Sequence, residues 1–258
     1  MASKVLVIGD SCQDMFRYGT CDRLSPEAPV AIMKPTRTVG NCGMAINVLE
    51  NLKSLGVETN IITNDIRPVK TRYVDEVSNQ ILLRVDEKDE IKSITADTIQ
   101  NIVFDDYDAI VISDYDKGYL SEDDIEYISN HHPLVFLDTK KKIGNWAKNI
   151  NFIKINEKEY QENNEFLFKY LISSSSKGNL IVTKGKDGAT WNTIEEFPIK
   201  TEHPVRDLSG AGDTFFAALV ADYIKNSDIR SAIRFANKCA AWVVTQKGVA
   251  VVNLTKFR

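Results

Sequence analysis

A glycine turn followed by an aspartate is the stretch of this sequence with the clearest chemical potential. Residues 207–215 read Asp-Leu-Ser-Gly-Ala-Gly-Asp-Thr-Phe and continue into an apolar run that ends at Val220. The pattern predicts a tight turn leading into a buried helix, whose first N–H groups and positive dipole end attract an anion. Asp213 is then either a general base beside a transferring phosphoryl group or an ordinary helix-start carboxylate, and the motif alone leaves both interpretations open. The dinucleotide fingerprint is excluded because Phe215 stands at its third glycine, and the Walker loop because no lysine follows the glycines.

Charged side chains at the predicted ends of strands are further candidates for ligand binding. Asp10 and Asp14 follow the first apolar run, and Lys117 and Lys140 follow two later ones. Ligands of open α/β sheets bind at the carboxyl ends of the strands, so the aspartates are candidates to hold substrate hydroxyls and the lysines to neutralise a phosphate. The alternatives, turn or cap aspartates and exposed surface lysines, fit the spacing equally well.

The composition is that of an ordinary globular protein. Of the 258 residues, 43% are hydrophobic and 26% are charged, and the net charge of −4 does not favour nucleic-acid binding. The four cysteines have no C-x-x-C spacing, which suggests reduced thiols. The three histidines form no metal pattern, and we expect surface turns at His131, His132 and His203. No stretch is long and apolar enough for a signal peptide or a membrane span, so we expect a cytoplasmic protein.

The hydrophobic pattern predicts an α/β protein built on a mainly parallel sheet. Short apolar strands alternate with helical segments, which implies right-handed crossovers and a ligand groove along one edge of the sheet. We expect a single domain over residues 1–258, with a small β lid from residues near 14–38 and 70–86. Within the lid, two β-rich runs that mix charged and apolar residues flank Ser78-Asn79 and predict a hairpin. Three irregular segments are also expected: a loop at 9–14, an edge strand or flap at 26–35 and a serine-rich loop at 173–176.

Four motifs in the same order resemble the ribokinase (PfkB) family of sugar and nucleoside kinases, and the resemblance covers nearly the whole chain. They are the C-terminal signature at 209–213, a partial glycine signature at Gly43-x-Ala45-x-Asn47, an N-x-x-E motif at Asn156 and Glu159, and Val182-Thr183-Lys184-Gly185-x-x-Gly188. Other motifs, at 9–14, 24–30, 79–86 and 113–118, resemble the D-glycero-β-D-manno-heptose-7-phosphate kinases within that family. Many members of that group carry a fused adenylyltransferase domain, which we do not expect here because the chain stops after the kinase motifs.

The resemblance implies a carbohydrate kinase that uses ATP and Mg²⁺. Asp213 would be the base, and the N–H groups of the turn would stabilise the transferring phosphoryl group, so the implied catalytic residues are Gly210, Ala211, Gly212 and Asp213. The implied substrate-binding residues are Asp10, Asp14, Gly43, Asn47, Arg84 and Lys117. The implied nucleotide-binding residues are Lys140, Asn156, Thr183, Lys184, Gly185, Gly188, Asn237 and Gly248.

The metal and the assembly are also implied by the resemblance. Mg²⁺ would be held through water by Asn156 and Glu159, although that pair alone is equally compatible with a helix N-cap and its N3 residue. Lid strands in this family often pair between subunits, so we expect a homodimer. The expected ligands are ATP and a sugar or sugar phosphate, with no nucleic-acid or membrane partner.

Three departures from the family pattern bear on the substrate more than on the reaction class. Met44 replaces a glycine and would narrow the sugar pocket, the segment between Thr63 and Lys70 is shortened, and Trp242 replaces a small residue near the expected adenine. Three functions therefore remain: a kinase for the anomeric hydroxyl of heptose 7-phosphate, a kinase for another sugar or nucleoside, and a catalytically silent ligand-binding protein. The presence of Asp213 argues against the last.

Overall fold

The secondary structure follows the alternating pattern of the sequence. The computed structural model describes residues 3–88, 90–172, 178–199, 204–246 and 248–256, so the predictions for 173–176 and His203 lie outside the described residues. The strands are β1 Lys4–Gly9, β2 Ser11–Thr20, β3 Lys34–Met44, β4 Glu58–Thr63, β5 Val69–Asp75, β6 Ile81–Glu87, β7 Ala109–Asp114, β8 Val135–Thr139, β9 Phe152–Asn156, β10 Asn179–Thr183, β11 Ala189–Trp191 and β12 Glu195–Phe197. The α-helices are α1 Ala45–Ser54, α2 Ala96–Gln100, α3 Glu122–His131, α4 Glu157–Ile172, α5 Ala211–Asn226 and α6 Ile229–Val243.

The central sheet is mainly parallel, which confirms the predicted fold class. Within the described residues its strand order is β12-β11-β10-β9-β8-β7-β1-β4. Neighbours from β4 to β10 are parallel, whereas β11 and β12 turn back antiparallel. The chain runs from β1 outward to β4 on one side and later from β7 to β10 on the other, so the direction of winding reverses beside β1. Open α/β sheets bind ligands at such a switch point, just beyond the carboxyl ends of the strands.

Helices cover both faces of this sheet because its strands are apolar on both sides. In β1, Val5 and Val7 pack with helices α1, α5 and α6, while Leu6 and Ile8 pack with α2, α3 and α4. Alternate residues of a strand point to opposite faces, so a continuous apolar run is what a doubly covered strand requires. Among the described residues, no helix has the length and apolarity that crossing a membrane would take.

A second sheet forms the lid over this edge, in the order β3-β2-β5-β6. The predicted hairpin is present as antiparallel β5 and β6. The predicted loop at 9–14 is wrong, because β2 begins at Ser11. The buried alternation of Cys12, Asp14, Phe16 and Tyr18 has the period of a strand. Of the two alternatives predicted for 26–35, an edge strand or a flap, the edge strand is wrong, since β3 begins only at Lys34 and the proline-containing segment before it has one isolated bridge, Leu24 with Ala31.

The shortened segment between the two sheets is held by side-chain hydrogen bonds. The Asn64 side chain accepts from the Ser11 N–H at 2.7 Å and donates to the Ser11 carbonyl at 3.0 Å. The Gln13 N–H donates to the Pro68 carbonyl at 2.8 Å. These contacts join the end of β4 directly to the lid, so the lid strands begin where the central strands end.

The histidine prediction needs a correction at His132. Its ring nitrogens lie 2.9 Å from the Tyr107 and Leu134 carbonyls, and the residue is buried. It therefore joins the ends of neighbouring elements inside the protein, and the following proline misled the prediction of a surface turn. His131 is the last residue of α3.

Candidate active site

The glycine turn forms the start of α5, as the sequence predicted. Gly210 is the N-cap residue with φ 79°, in the left-handed region that glycine tolerates best. A Cβ at this position would lie 2.7 Å from Asn47 Nδ2. The Ala211 N–H donates to the Leu208 carbonyl at 3.3 Å, which closes the turn. The N–H groups of Gly212 and Asp213 follow in the first helical turn, where a helix has no internal acceptor for them.

The Asp213 side chain points away from its own helix start and into a polar cluster. Its Oδ2 accepts from Asn47 Nδ2 at 3.0 Å, and its Oδ1 accepts from the Tyr115 hydroxyl at 2.5 Å. The residue is only 4% exposed. Burial raises the pKa of Asp213 to about 6, against the two donors, which lower it. An ordinary helix-start carboxylate would face solvent or cap its own helix, so the geometry favours the interpretation of Asp213 as a base.

The glycine turn separates two cavities. One encloses about 170 Å³ with mostly apolar walls, and it is lined by Thr183, Gly185, Lys186, Gly188, Ile199, Val205, Leu208, Ala211, Gly212, Phe215, Asn237, Ala240, Ala241 and Val244. The other encloses about 380 Å³ and is rich in charge, and it is lined by Cys12, Asp14, Met44, Lys70, Arg72, Arg84, Tyr115, Lys117, Lys140, Ser209, Gly210, Asp213 and Val249. Ala211 and Gly212 thus face the apolar cavity, while Gly210 and Asp213 face the charged one.

The lid provides one wall of the charged cavity through residues that alternate along its strands. Lys70 and Arg72 share the inner face of β5, and Arg84 lies opposite Arg72 on β6. Arg72 forms an ion pair with Asp14, and Arg84 pairs with Asp86 through two hydrogen bonds of 2.6 and 2.7 Å. Lys70 is buried, with its ammonium 6.0 Å from the centre of the Tyr115 ring.

Not all predicted substrate-binding residues face the charged cavity. Asp10 is fully buried, and its carboxylate accepts from the backbone N–H groups of Tyr115, Lys117 and Tyr119 at 2.5, 3.5 and 3.3 Å. Burial and the nearby Asp114 raise the pKa of Asp10 to about 6. Asp10 therefore holds the loop after β7 rather than presenting oxygens to a ligand.

Asn47 and Gly43 also support neighbouring groups. Asn47 is 1% exposed and donates to Asp213, so it orients the candidate base. At Gly43 an added Cβ would lie 2.3 Å from Asp14 Oδ2, so the absence of a side chain makes room for that carboxylate. Of the six predicted substrate residues, those that line the charged cavity are Asp14, Arg84 and Lys117.

The predicted nucleotide-binding residues do not all line one cavity. Thr183, Gly185, Gly188 and Asn237 line the apolar cavity. The Lys184 ammonium instead lies 3.6 Å from Glu196, beside a different surface depression. The Gly248 N–H donates to Asp207 Oδ2 at 3.1 Å, which ties the C-terminal loop to the glycine turn. Trp242 is partly buried against the core, and the residues of α6 that line the cavity are Asn237, Ala240 and Ala241.

The N-x-x-E motif has the geometry of a helix cap. The Asn156 N–H donates to Glu159 Oε2 at 2.8 Å and the Glu159 N–H donates to Asn156 Oδ1 at 2.9 Å, as in a capping box. Glu159 also forms an ion pair with Lys140. Burial opposes the charge of Lys140, but Asp138 and Glu159 together raise its pKa above the ordinary value.

Oxygen donors at this edge fit the ligand preference of Mg²⁺. Asp138 Oδ1 is buried and has no hydrogen-bond partner in the part of the chain that the structure describes, and Glu159 and Asn156 lie at the next strand end. Within the same described residues, no cluster of three acidic, histidine or cysteine side chains could bind a metal. A magnesium ion here would therefore be held largely through water and substrate oxygens, as Mg²⁺ commonly is.

Three residues of the site were not predicted from the sequence. Tyr115 lies in a segment noted only as a motif, and Lys70 and Arg72 lie in the first strand of the predicted lid hairpin, where no site residue was assigned to that strand. The alternation of Lys70 and Arg72 with apolar neighbours was a usable signal for two cations on one strand face. The contact between Tyr115 and Asp213 had no such signal, because 98 positions separate the two residues.

Comparison with known proteins identifies the family of this fold and site. The model of the pfkB family carbohydrate kinases matches residues 125–256. The chain belongs to this family. It is therefore a phosphotransferase that uses a hydroxyl group as acceptor, as expected from the four motifs.

Individual relatives agree with that assignment. The chain is 32% identical to the bifunctional protein HldE of a Nitratiruptor species, over 100% of this chain and 64% of the relative. It is 29% identical to the same-named protein of Campylobacter curvus, over 98% and 64%. The chain thus spans a little under two thirds of the length of these relatives.

Solved structures show the same fold at low sequence identity. Arabidopsis thaliana ribokinase complexed with ribose and ATP matches with a TM-score of 0.74 and 14% identity, over 100% of this chain and 99% of the ribokinase. Escherichia coli phosphofructokinase-2 in complex with potassium matches with a TM-score of 0.75 and 14% identity, over 100% and 97%. These matches confirm the ribokinase-like fold.

The buried charge of Asp213 predicts that Asp213→Asn stabilises the protein. The pKa of Asp213 is raised from 3.8 to about 6 in the folded state. Ionisation of this carboxyl therefore lowers the free energy of unfolding as the pH rises through that interval. We expect the substitution to add about 1–3 kcal/mol to the free energy of unfolding near pH 8, and less as the pH falls towards 4. Urea unfolding across this pH range measures the difference, with exposed Asp105→Asn as the control for loss of one charge. A gain that does not depend on pH would contradict the argument.

Proposed function

We propose that this protein transfers the γ-phosphate of ATP to a hydroxyl of a phosphorylated sugar. The favoured acceptor is the anomeric hydroxyl of D-glycero-β-D-manno-heptose 7-phosphate. The main support is the position of the glycine turn, which has Asp213 on the charged cavity and Gly212 on the apolar cavity. A donor and an acceptor bound on the two sides would meet at that turn.

In the proposed reaction, the sugar hydroxyl lies in the charged cavity beside Asp213. Its proton passes to the carboxylate as its oxygen attacks the γ-phosphorus, and ADP leaves on the other side of the turn. The N–H groups of Gly212 and Asp213 stabilise charge on the transferring phosphoryl group, as donors of an oxyanion hole do. Since phosphoryl transfer needs mainly positioning and charge neutralisation, this small set of groups suffices.

The apolar cavity is the proposed site of the adenine ring. Its aliphatic and glycine walls suit a flat base, and Ala211 and Gly212 lead from it towards the turn. Lys140, just after the end of β8, lines the charged cavity, and we expect it to neutralise phosphate oxygens. Magnesium, held through water near Asn156 and Glu159, would neutralise charge on the phosphate oxygens.

The surplus of cations in the charged cavity supports a phosphorylated acceptor. Arg72 is compensated by Asp14, whereas Lys70 is buried with no carboxylate within ion-pair distance among the described residues. A buried ammonium is costly unless an anion joins it, and a sugar phosphate would supply one. The motifs shared with heptose-7-phosphate kinases and the match to proteins named HldE favour that particular sugar.

A kinase for another sugar or a nucleoside is the second candidate. Met44 stands where the family has a glycine, and its side chain lines the charged cavity and reduces the space for an acceptor. A catalytically silent protein is disfavoured by the intact and oriented Asp213.

One prediction of this proposal concerns turnover. ADP release from Mg-ATP is measured with heptose 7-phosphate, fructose 6-phosphate, ribose and adenosine as acceptors, and we expect the heptose phosphate to stimulate release most. Asp213→Asn should lower turnover roughly 10²–10⁴-fold, the contribution typical of a positioned base, while ATP affinity stays the same.

Two results would reject parts of this proposal. Near-normal turnover of Asp213→Asn removes that residue from the role of base. A chain that none of the four acceptors stimulates supports the silent interpretation.

A second prediction concerns the phosphate of the acceptor. Lys70→Met keeps the length and apolar packing of the side chain while it removes the charge, and Lys117→Ala truncates the other lysine. We expect both to raise the KM for the sugar phosphate about tenfold or more, with little effect on the KM for ATP, because each removes a charged hydrogen-bond donor.

Lys53→Met serves as the matched control, since Lys53 lies on the outer side of α1 in an exposed pair with Glu50. Equal losses for both substrates in Lys70→Met would show that Lys70 supports the fold and does not bind the acceptor.

We also propose a homodimer that forms through the lid. Strands β3 and β6 are the edges of the lid sheet, and Leu83 on β6 is 56% exposed on its outer face, opposite Tyr73. Exposed strand edges with apolar residues favour pairing with a second copy. Light scattering at micromolar concentration should give about twice the 29.0 kDa of one chain. Leu83→Lys should reduce that mass, and a substitution at the remote and also exposed Ile194, Ile194→Lys, should not.

A further inference from the structure

We propose that Tyr115 is a positioning residue whose hydroxyl keeps the Asp213 carboxylate directed at the acceptor and in its proton-accepting form. This inference rests on the proposed function, in which Asp213 is the base. It adds a residue that acts through Asp213 and that forms no bond in the reaction.

Tyr115 is fixed at both ends. Its backbone N–H donates to the fully buried Asp10 at 2.5 Å, immediately after β7. Its hydroxyl donates to Asp213 Oδ1 at 2.5 Å, at the start of α5. The tyrosine therefore connects the ends of β1 and β7 to the glycine turn, across the switch point of the sheet. A side chain held at its backbone and at its tip has little freedom to take its hydrogen bond elsewhere.

The ring of Tyr115 lies between two cations of the charged cavity. The ammonium groups of Lys70 and Lys140 are 6.0 and 5.5 Å from its centre. Both distances lie within the range of cation–π attraction. Replacing the tyrosine with phenylalanine would retain this ring and both contacts, so the role of the hydroxyl can be tested alone.

Several other groups face the Tyr115–Asp213 contact from the elements packed around it. Asn47 on α1 donates to the second carboxylate oxygen, and Cys12 lies on β2 nearby. Asp138 on β8 and Lys154 on β9 form a buried ion pair of 2.7 Å, whose opposite charges act on Asp213 in opposite directions. The hydroxyl of Tyr115 is thus one of two direct donors to Asp213 in the described structure.

The proton of Tyr115 stays on its oxygen under working conditions. Burial and the neighbouring Asp213 raise the pKa of Tyr115 well above its ordinary value. A donor that cannot ionise stabilises the carboxylate at every pH at which the enzyme works. It offsets part of the burial that raises the pKa of Asp213 to about 6, so the base is ionised at neutral pH.

The test is the pH dependence of kcat/KM in the wild type and in Tyr115→Phe. For the wild type we expect activity to rise with pH through about 6. Loss of a hydrogen bond to an ionised group raises its pKa, so the rising limb of Tyr115→Phe should move up by about one pH unit. Below the limb the variant should be about tenfold less active than the wild type, and well above it the two should converge.

A merely structural role gives a different result. A disturbed site lowers kcat/KM by the same factor at every pH and leaves the limb in place, and this outcome would overturn the inference. Tyr127→Phe, at a half-buried tyrosine of α3 that does not line the charged cavity, is the matched control for loss of one hydroxyl. Thermal unfolding of each variant verifies that the compared proteins are folded.

The same profiles separate failure of this inference from failure of the proposed function. A wild type with no limb near pH 6, or a limb that persists in Asp213→Asn, rejects Asp213 as the base. In another outcome, the rise in activity near pH 6 disappears in Asp213→Asn but stays at the same pH in Tyr115→Phe. This outcome keeps Asp213 as the base and rejects the positioning role of Tyr115.

Discussion

The carboxylate of Asp213 lies inside the protein with uncharged donors as the direct partners that the structure describes, and the rest of the site depends on this arrangement. A cation in direct contact would stabilise the carboxylate so strongly that it would accept a proton poorly. With Asn47 and Tyr115 instead, burial raises the basicity of Asp213 while its orientation stays fixed. The arrangement requires α1, β7 and α5 to meet within hydrogen-bond distance, and the parallel sheet achieves this at its switch point. The cost is a buried charge, which is a usual feature of functional sites.

Most cations around this carboxylate are already paired with acids. Arg72 pairs with Asp14, Lys140 with Glu159 and Lys154 with Asp138. Such pairs hold the positive groups in fixed positions, so little reorganisation is needed when phosphate groups arrive. Lys70 differs because it has no carboxylate within ion-pair distance among the described residues, and its ammonium lies 6.0 Å from the centre of the Tyr115 ring. The strongest demand for an anion is therefore on the lid side of the cavity, away from the glycine turn. Under the proposed function, the phosphate of the acceptor would lie there, and the phosphates of the donor would approach from the turn.

The sequence predicted the elements well and the partners of individual side chains poorly. Apolar runs located β1, β7, β8, β9 and β10 because both faces of those strands are covered, and the glycine turn predicted the start of α5 because φ at Gly210 requires it. Spacing alone could not distinguish Asp10, which is fully buried under a loop, from Asp14, which reaches the cavity. The difference is that Asp10 lies between β1 and β2 whereas Asp14 lies within β2, and the predicted loop at 9–14 concealed that β2 begins at Ser11. The pairing of Tyr115 with Asp213 arises only when distant strand ends are brought together.

Met44 shows how a departure from the family pattern acts on one cavity and not on the other. It is the N-cap residue of α1 with φ 60° and ψ −133°, a sparsely populated backbone conformation that strains a residue with a Cβ by about 1–3 kcal/mol. A glycine at this position, as the family resemblance implies, avoids that strain. The methionine is buried and contributes to the wall of the charged cavity. Backbone strain of this kind clusters at ligand sites, so the strain at Met44 suggests that its side chain has a role in the charged cavity. Met44 lines the cavity proposed for the acceptor and is not among the residues that line the apolar cavity, so under the proposed function its effect would fall on the choice of acceptor.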